Sequence, residues 1–178
     1  IIATTSATSK AVADVAKKHG AKIKYSDVGA PYLAETMHKL GSKCVAGGEE
    51  VGGIVFTNFS LAKDGIYAVC KFAEICAKKP LSKWHDELPH YFNAKTKIKA
   101  THEQKEKIIT SLTKNLKSEH KTEFISLIGG FRINLKDSWV LVRASGTEDY
   151  IRVFAESHDE KHARKRMNEY KKLVEQTL

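Results

Sequence analysis

The sequence predicts two domains: an α/β three-layer domain with a mostly parallel sheet, then an α+β domain with an antiparallel sheet and two helices. Strand-like and helix-like segments alternate over residues 1–79, as in folds whose parallel strands are joined by helices. Over residues 91–178 the order is one strand, one helix, four successive strands and a last helix, which indicates an antiparallel sheet backed by helices. We predict that residues 80–90, bracketed by Pro80 and Pro89, form the linker.

Glycine and proline set the predicted limits of the helices in the first domain. Pro31 opens the second helix, and Gly20 and Gly41 end the first and second helices. Strands are predicted at residues 1–5, 21–25, 44–46 and 54–56, and helices at residues 10–19, 31–40 and 64–78. The third strand leads directly into a glycine-rich loop. Since ligands of such domains lie at the carboxyl ends of the strands, this loop is a candidate binding element.

Hairpin signals organise the second domain. Gly129-Gly130 and Lys136-Asp137 stand between segments of strand-like composition. Strands are predicted at residues 91–100, 123–127, 130–135, 138–143 and 150–156, with helices at residues 102–117 and at the end of the chain.

The composition is typical of a globular protein. Of the 178 residues, 42% are hydrophobic, which suffices for a core. No apolar run approaches the roughly 20 residues of a membrane span, and the start Ile1-Ile2-Ala3 is too short for a signal peptide. We therefore expect a soluble, cytoplasmic protein without membrane contact. Cys44, Cys70 and Cys76 form no CxxC pair, and an odd number of cysteines argues against a disulfide framework.

The net charge of +9 raises nucleic acid as a partner. In the second half, however, basic residues alternate with acidic ones, as in Glu103 to Lys107, which is typical of solvated helix faces. No stacking motif of interleaved aromatic residues accompanies the charge. Nucleic-acid binding therefore stays as an alternative, and an anionic small molecule suits a basic domain equally well.

The stretch Arg143 to Glu148 reads Arg-Ala-Ser-Gly-Thr-Glu and lies between two predicted strands. Such a turn can direct backbone N–H groups, two hydroxyl groups and an arginine fork at one dianion, since arginine pairs two phosphate oxygens at once. The alternative is an ordinary hairpin, in which the hydroxyl groups bond within their own turn.

These residues also carry a resemblance. Arg143 to Glu148, followed by the strand Ile151 to Glu156, resembles the phosphate-binding loop in the last domain of the α-D-phosphohexomutases. Gly47 to Phe56 resembles the sugar-recognition loop of that family, and Asp64 to Ala68 and Leu81 to Pro89 are similar to the segments that follow it. The resemblance implies a last domain folded like the TATA-binding protein, which gives no reason to infer DNA binding.

The resemblance implies site residues in both domains. Arg143, Ser145, Gly146 and Thr147 would bind the substrate phosphate that is not transferred. Arg152, on the outgoing strand, either points at the same phosphate or pairs with an acidic neighbour, and we favour the ion pair.

In the sugar-recognition loop Glu49 matches the carboxylate that accepts hydrogen bonds from two sugar hydroxyls, and Glu50 fills the variable position. Val51 stands where the family has Ser, and Gly53 stands where it has His. Asp149-Tyr150 replaces the usual Pro-Lys and adds a negative charge beside the phosphate loop. These departures allow a different mode of sugar recognition, another phosphosugar, or loss of catalysis with binding retained.

The reaction that the resemblance implies is a reversible phosphoryl shift between C1 and C6 of a hexose phosphate. In the family, a phosphoserine in domain 1 and Mg²⁺ held by an Asp-x-Asp-x-Asp loop in domain 2 carry the transfer. Neither motif is in this sequence, and we read the chain as a fragment holding most of domain 3 and all of domain 4. We expect it to bind a hexose phosphate, to work with domains 1 and 2 of its enzyme, and to be inactive alone. A non-catalytic phosphosugar-binding protein is the alternative, and the sequence does not decide which sugar is bound.

Overall fold

The computed structural model describes residues 1–178, which form two compact units, residues 1–90 and residues 91–178. No helix in either unit is both long enough and apolar enough to cross a membrane. Residues 80–90, predicted as the linker, belong to the first unit and include a short helix. Within this stretch Trp84 packs against the ammonium group of Lys79, which lies 3.8 Å from the ring centre.

The first unit is an α/β fold around a four-stranded sheet. Its elements are β1 (Ile2–Thr5), α1 (Lys10–Lys18), β2 (Ile23–Ser26), α2 (Ala30–Leu40), a 3-10 turn (Gly41–Lys43), β3 (Ala46–Gly48), β4 (Ile54–Phe56), α3 (Gly65–Lys78) and α4 (Leu81–Asp86). The strand order is β2-β1-β3-β4. Strand β1 runs parallel to β2 and β3, and β4 is antiparallel to β3. The predicted alternation and mostly parallel sheet are confirmed.

The first unit differs from the prediction in the bounds of its elements: β2 covers Ile23–Ser26 and not residues 21–25, and the predicted linker includes helix α4. The third strand is Ala46–Gly48, not residues 44–46, because Gly47 pairs with Ala3 of β1 and with Val55 of β4. Helix α3, which the apolar spacing of residues 64–78 predicts, is present but exposed. No residue of this helix is buried, and its Ile66 side chain is 82% exposed.

The core of the first unit lies between α2 and the sheet. It consists of Ala3, Leu33, Met37, Cys44 and Val55. Leu33 and Met37 are one helical turn apart on α2, so they cover the same side of the sheet. This packing fixes β1 and β3, and therefore the start of the glycine-rich loop that leaves β3.

The second unit is an α+β fold with a five-stranded antiparallel sheet. Its elements are β5 (Phe92–Lys99), α5 (His102–Glu119), β6 (Phe124–Leu127), β7 (Gly130–Asn134), β8 (Ser138–Ala144), β9 (Tyr150–Ser157) and α6 (Glu160–Thr177). The strand order is β5-β9-β8-β7-β6, and all neighbouring pairs are antiparallel. The predicted order of elements and the antiparallel sheet with two helices are confirmed.

One face of this sheet forms the core with α5 and α6. Side chains alternate along each strand, so Val140 and Val142 of β8 lie in the core, whereas Arg143, near the end of β8, lies on the other face. Arg143 is directly opposite Gly130 of β7 and Arg152 of β9. The loop between β8 and β9 is therefore held by two neighbouring strands at its base.

Helix α5 begins with a capping box. The Thr101 hydroxyl accepts from the Gln104 N–H group at 3.4 Å, and the Gln104 side chain accepts from the Thr101 N–H group at 2.8 Å. This arrangement fixes the first turn of α5 and the direction of the next residue, Lys105. Lys105 is 5% exposed and continues the buried stripe of Ile108 and Leu112.

Candidate functional site

The loop between β8 and β9 is closed by its own hydrogen bonds. The Ser145 N–H group donates to the Tyr150 carbonyl at 3.0 Å, and the Ala144 N–H group donates to the Gly129 carbonyl at 2.8 Å. The Ser145 hydroxyl, 8% exposed with its residue, accepts from the Glu148 N–H group at 3.2 Å. The Ser145 oxygen therefore serves the turn, as the alternative of an ordinary hairpin expects for this residue.

Other donors of the same loop have no acceptor in the chain. The Arg143 guanidinium makes no hydrogen bond and no ion pair, although it is only partly exposed. The N–H groups of Gly146 and Thr147 and the Thr147 hydroxyl also have no acceptor, and both residues are exposed. An ordinary hairpin does not need these donors. Their chemistry, one guanidinium with backbone and hydroxyl donors beside it, is that of an anion-binding loop.

Gly146 is not required by the geometry of the protein itself. Its φ angle is not positive, and a Cβ atom added there meets no other atom within 4 Å. A side chain at this position would therefore extend into open space. The position is consistent with a loop that must leave room for a ligand.

We predict that Gly146→Ala changes the free energy of unfolding by less than about 0.5 kcal/mol, as is usual for surface substitutions. The same substitution should weaken binding of inorganic phosphate, because the added methyl group would occupy the space beside the Gly146 N–H group. Thermal unfolding and a phosphate titration of the same variant check both parts. Unchanged phosphate affinity would show that the ligand does not approach this residue.

Sequence reasoning missed Lys105, which contacts this loop from the buried side. Its ammonium group donates to the Ser145 carbonyl at 3.1 Å and to the Glu148 carbonyl at 2.9 Å, and it lies 3.4 Å from the Asp149 carboxylate. The sequence contains a sign of this buried contact. Lysine stands on the apolar stripe of α5, one turn before Ile108, where a solvated side chain is not expected.

Asp149 and Tyr150, which stand where the family usually has Pro-Lys, both make contacts at this loop. Asp149 is paired with Lys105, so part of its negative charge is balanced. The Tyr150 hydroxyl donates to the Glu148 carboxylate and accepts from Arg152 at 3.0 Å. Arg152 also lies 3.5 Å from the Glu148 carboxylate, so the structure shows the ion pair that we favoured for this residue.

The hydrogen bond from Tyr150 lowers the pKa of the Glu148 carboxyl below its ordinary value, and the charges of Lys97 and Arg152 act in the same direction. We predict that Tyr150→Phe raises this pKa. A carboxyl NMR titration from about pH 6 to pH 2 measures it. Because the pKa of Glu148 is lower in the folded than in the unfolded chain, the Tyr150–Glu148 contact stabilises the fold fully at pH values above the unfolded pKa. This stabilisation is lost as the pH falls through the folded pKa. Tyr32→Phe, in the other unit, is the control and should leave the Glu148 midpoint unchanged; no change in Tyr150→Phe would contradict the assignment.

The glycine-rich loop joins β3 to β4 in the first unit. The Glu49 side chain is 6% exposed and forms an ion pair with Lys63, without an aligned hydrogen bond at Oε1. The Glu50 carboxylate accepts from the Thr5 hydroxyl at 3.0 Å. This second contact joins the loop to the carboxyl end of β1, so the loop lies at the edge of the sheet where ligands of such folds bind.

Val51 and Gly53, the two residues of this loop that depart from the family pattern, have different surroundings. Val51 is 75% exposed and can offer no hydrogen bond. Gly53 has φ of 78°, and a Cβ atom added there would lie 2.6 Å from Cδ of Lys63. A His side chain at this position would be strained and would have to displace Lys63. Lys63 therefore occupies the space beside Gly53 and holds the Glu49 carboxylate.

Each predicted set of site residues lies together within one unit. Glu49, Val51 and Gly53 are in the β3–β4 loop, whereas Arg143 is near the end of β8 and Ser145, Gly146 and Thr147 are in the loop that follows it. The chain contains no group of three or more His, Cys, Asp or Glu side chains that could hold a metal ion. Cys44 is buried, Cys70 and Cys76 are exposed, and all three are free. Asp64, a single carboxylate at the start of α3, caps that helix by accepting from the Tyr67 N–H group at 2.7 Å.

Two family models match the chain in succession. Residues 1–92 match "Phosphoglucomutase/phosphomannomutase, alpha/beta/alpha domain III", and residues 92–173 match "Phosphoglucomutase/phosphomannomutase, C-terminal domain". A phosphoglucomutase/phosphomannomutase of Thermococcus kodakarensis is 40% identical over 180 aligned positions, which cover 100% of this chain and 38% of that protein. A phosphoglucosamine mutase of Methanocaldococcus jannaschii is 34% identical over 179 positions, covering 99% of this chain and 39% of that protein.

Solved structures show the same fold. A phosphoglucomutase/phosphomannomutase family protein from Burkholderia thailandensis matches 99% of this chain and 37% of its own, with a TM-score of 0.78 and 16% identity. The N-acetylphosphoglucosamine mutase of Aspergillus fumigatus, in complex with GlcNAc-6P and magnesium, matches 99% of this chain and 38% of its own, with a TM-score of 0.66 and 15% identity. The chain thus spans about two fifths of the length of these proteins.

Proposed function

Since the chain belongs to the α-D-phosphohexomutase family, of which it carries domain III and the C-terminal domain, we propose that it supplies the substrate-binding part of a hexose-phosphate mutase. One observation carries the proposal. The β8–β9 loop holds the Arg143 guanidinium and the donors of Gly146 and Thr147 without any acceptor in the chain. In the proposal these groups bind the phosphate that is not transferred, and Ser145 shapes the turn.

The glycine-rich loop is proposed to contact the sugar. The resemblance implies that the Glu49 carboxylate accepts hydrogen bonds from two adjacent sugar hydroxyls, and in this chain Lys63 already pairs with its buried Oε1 atom. Because Val51 and Gly53 provide no polar side chain, the sugar loses contacts there, each worth on the order of 1 to 3 kcal/mol. We infer that Lys63 supplies the polar group beside Gly53 in their place.

The proposed reaction of the whole enzyme is the reversible shift of a phosphoryl group between C1 and C6 of a hexose phosphate. Mg²⁺ would stabilise charge on the transferred group, but the residues of this chain do not fit it, since they include no cluster of metal ligands. The residues of this chain act by orienting the sugar and fixing its other phosphate, which places the reacting oxygen correctly. We propose that they bind without turnover on their own, that domains 1 and 2 of the enzyme are their partners, and that the enzyme is cytoplasmic.

A non-catalytic phosphosugar-binding protein is the second candidate, and the changed sugar loop favours it. Without polar side chains at Val51 and Gly53, the sugar can be held less firmly than transfer requires. Nucleic-acid binding is supported less well. No stacking motif of interleaved aromatic residues accompanies the basic charge of the second half.

Calorimetric titrations test the proposed function. The chain is titrated with glucose 6-phosphate, mannose 6-phosphate, inorganic phosphate and, as the control, glucose. We expect saturable binding of the three phosphates and none of glucose. A single-stranded oligonucleotide is titrated in parallel at two salt concentrations. Binding of the oligonucleotide alone, with affinity that falls steeply with salt, would replace the proposal by the nucleic-acid alternative.

A further inference from the structure

We propose that Lys105 is the positioning residue of the phosphate loop, which keeps the Gly146 N–H group directed at the ligand. The inference rests on the proposed function of that loop. Lys105 does not touch the phosphate in this proposal. It acts through the carbonyl groups of Ser145 and Glu148, to which its ammonium group donates.

The direction of one N–H group follows from the geometry of the peptide bond. In a planar trans peptide the carbonyl of one residue and the N–H group of the next point in opposite directions. The Ser145 carbonyl points inward to the Lys105 ammonium at 3.1 Å. The Gly146 N–H group, in the same peptide unit, is therefore directed away from Lys105 and toward the exposed side of the loop. A rotation of this peptide would present a carbonyl oxygen to the phosphate, which repels it.

The burial of Lys105 strengthens its effect on the orientation of the Ser145–Gly146 peptide. The Lys105 side chain is 7% exposed, and its ammonium group has three oxygen partners, two of them carbonyls. Without the ammonium group, the inward Ser145 carbonyl would be a buried acceptor without a donor, which costs free energy and favours rotation of the peptide. The capping box at Thr101 and Gln104 fixes the first turn of α5, so the backbone of Lys105 is held in place.

The charge of Lys105 also acts on the ligand. A buried ammonium group beneath the loop contributes a positive potential that water screens poorly. Asp149, 3.4 Å away, balances part of this charge, but its side chain is 80% exposed and is screened more strongly. The stem of Lys105 lies on the core stripe of α5, so an apolar residue of similar length would fill the same space. The ammonium group therefore has a role beyond packing.

The test uses Lys105→Met in the full chain, with the exposed Lys165→Met as the matched control. Inorganic phosphate is titrated while amide NMR spectra are recorded, and the free energy of unfolding is measured separately. We expect Lys105→Met to raise the Kd for phosphate about tenfold or more, because the Gly146 N–H group would no longer be held toward the ligand, and to shift the Gly146 amide signal in the free protein. An unchanged Kd with reduced stability would overturn the inference, since Lys105 would then only stabilise the fold.

A second measurement applies if Lys105→Met does not fold. The ¹⁵N signal of the Lys105 ammonium group in the unaltered chain is followed during the phosphate titration. We expect it to shift and saturate with the same Kd as the Gly146 amide, and a signal that does not move would overturn the inference. Absence of any phosphate binding by the unaltered chain would instead overturn the proposed function and this inference with it.

Discussion

Arg143→Ala should abolish most of the affinity of this chain for phosphate. Arg143 has no partner within the protein, so its removal leaves no acceptor unpaired and should not change the fold. Contacts to charged groups are worth about 1.5 to 3 kcal/mol, which corresponds to a rise of roughly 10- to 150-fold in the Kd for glucose 6-phosphate. Calorimetry or NMR titration measures the change. Arg143→Lys should give an intermediate Kd, because lysine keeps the charge but cannot form the bidentate hydrogen bond of a guanidinium to phosphate.

The matched control is Arg164→Ala on helix α6. The Arg164 side chain is 67% exposed and pairs with Glu160 at 2.7 Å, on a different element from the loop. Removing it lowers the net charge by the same amount as Arg143→Ala. If both variants weaken phosphate binding equally, the effect comes from net charge and the loop is not the site.

Gly130→Ala should destabilise the second unit by about 3 kcal/mol, the upper end of the usual cost of overpacking. A Cβ atom at this position would lie 2.2 Å from the Val142 carbonyl oxygen and 2.8 Å from Cα of Arg143. Both are backbone atoms of the central strand β8, so β7 would have to separate from β8. Thermal unfolding followed by circular dichroism should show a decrease in Tm of more than about 10 °C for a unit of this size.

Gly146→Ala serves as the control for this effect, because it adds the same methyl group in the same unit where nothing lies within 4 Å. The two substitutions should therefore separate stability from binding. Gly130→Ala lowers Tm strongly, whereas Gly146→Ala leaves Tm unchanged and affects phosphate binding. A Gly130→Ala variant as stable as the unaltered chain would show that β7 and β8 are not packed as closely as the structure has them.

The order of elements in the second unit could be predicted because its signals are local. A Gly-Gly and a Lys-Asp pair mark its hairpins, and the strands are rich in β-branched and aromatic residues. The β8–β9 loop could also be found, since serine, glycine and threonine follow an arginine between two strands. The sequence could not show which polar groups form hydrogen bonds within the loop and which have no partner in the chain. Ser145 bonds within the turn, and Arg143 does not.

The remaining features depend on contacts between residues distant in sequence. Lys105 and Ser145 lie 40 positions apart, and no local pattern joins a helix start to that loop. The ion pair of Glu49 with Lys63 and the shift of β3 to Ala46–Gly48 likewise arise from pairing with other elements. The apolar spacing of residues 64–78 predicts helix α3, but periodicity alone does not say what covers a helix, and no residue of α3 is buried.

The most direct test of the central claim is an NMR titration of the ¹⁵N-labelled chain with glucose 6-phosphate. The account predicts saturable shifts at Arg143, Gly146 and Thr147, together with a coupling across the hydrogen bond between the phosphate ³¹P nucleus and the Gly146 amide. Lys105→Met should weaken both effects. Shifts that fall elsewhere in the chain, or none at millimolar ligand, would contradict the claim that the β8–β9 loop binds the phosphate of the substrate.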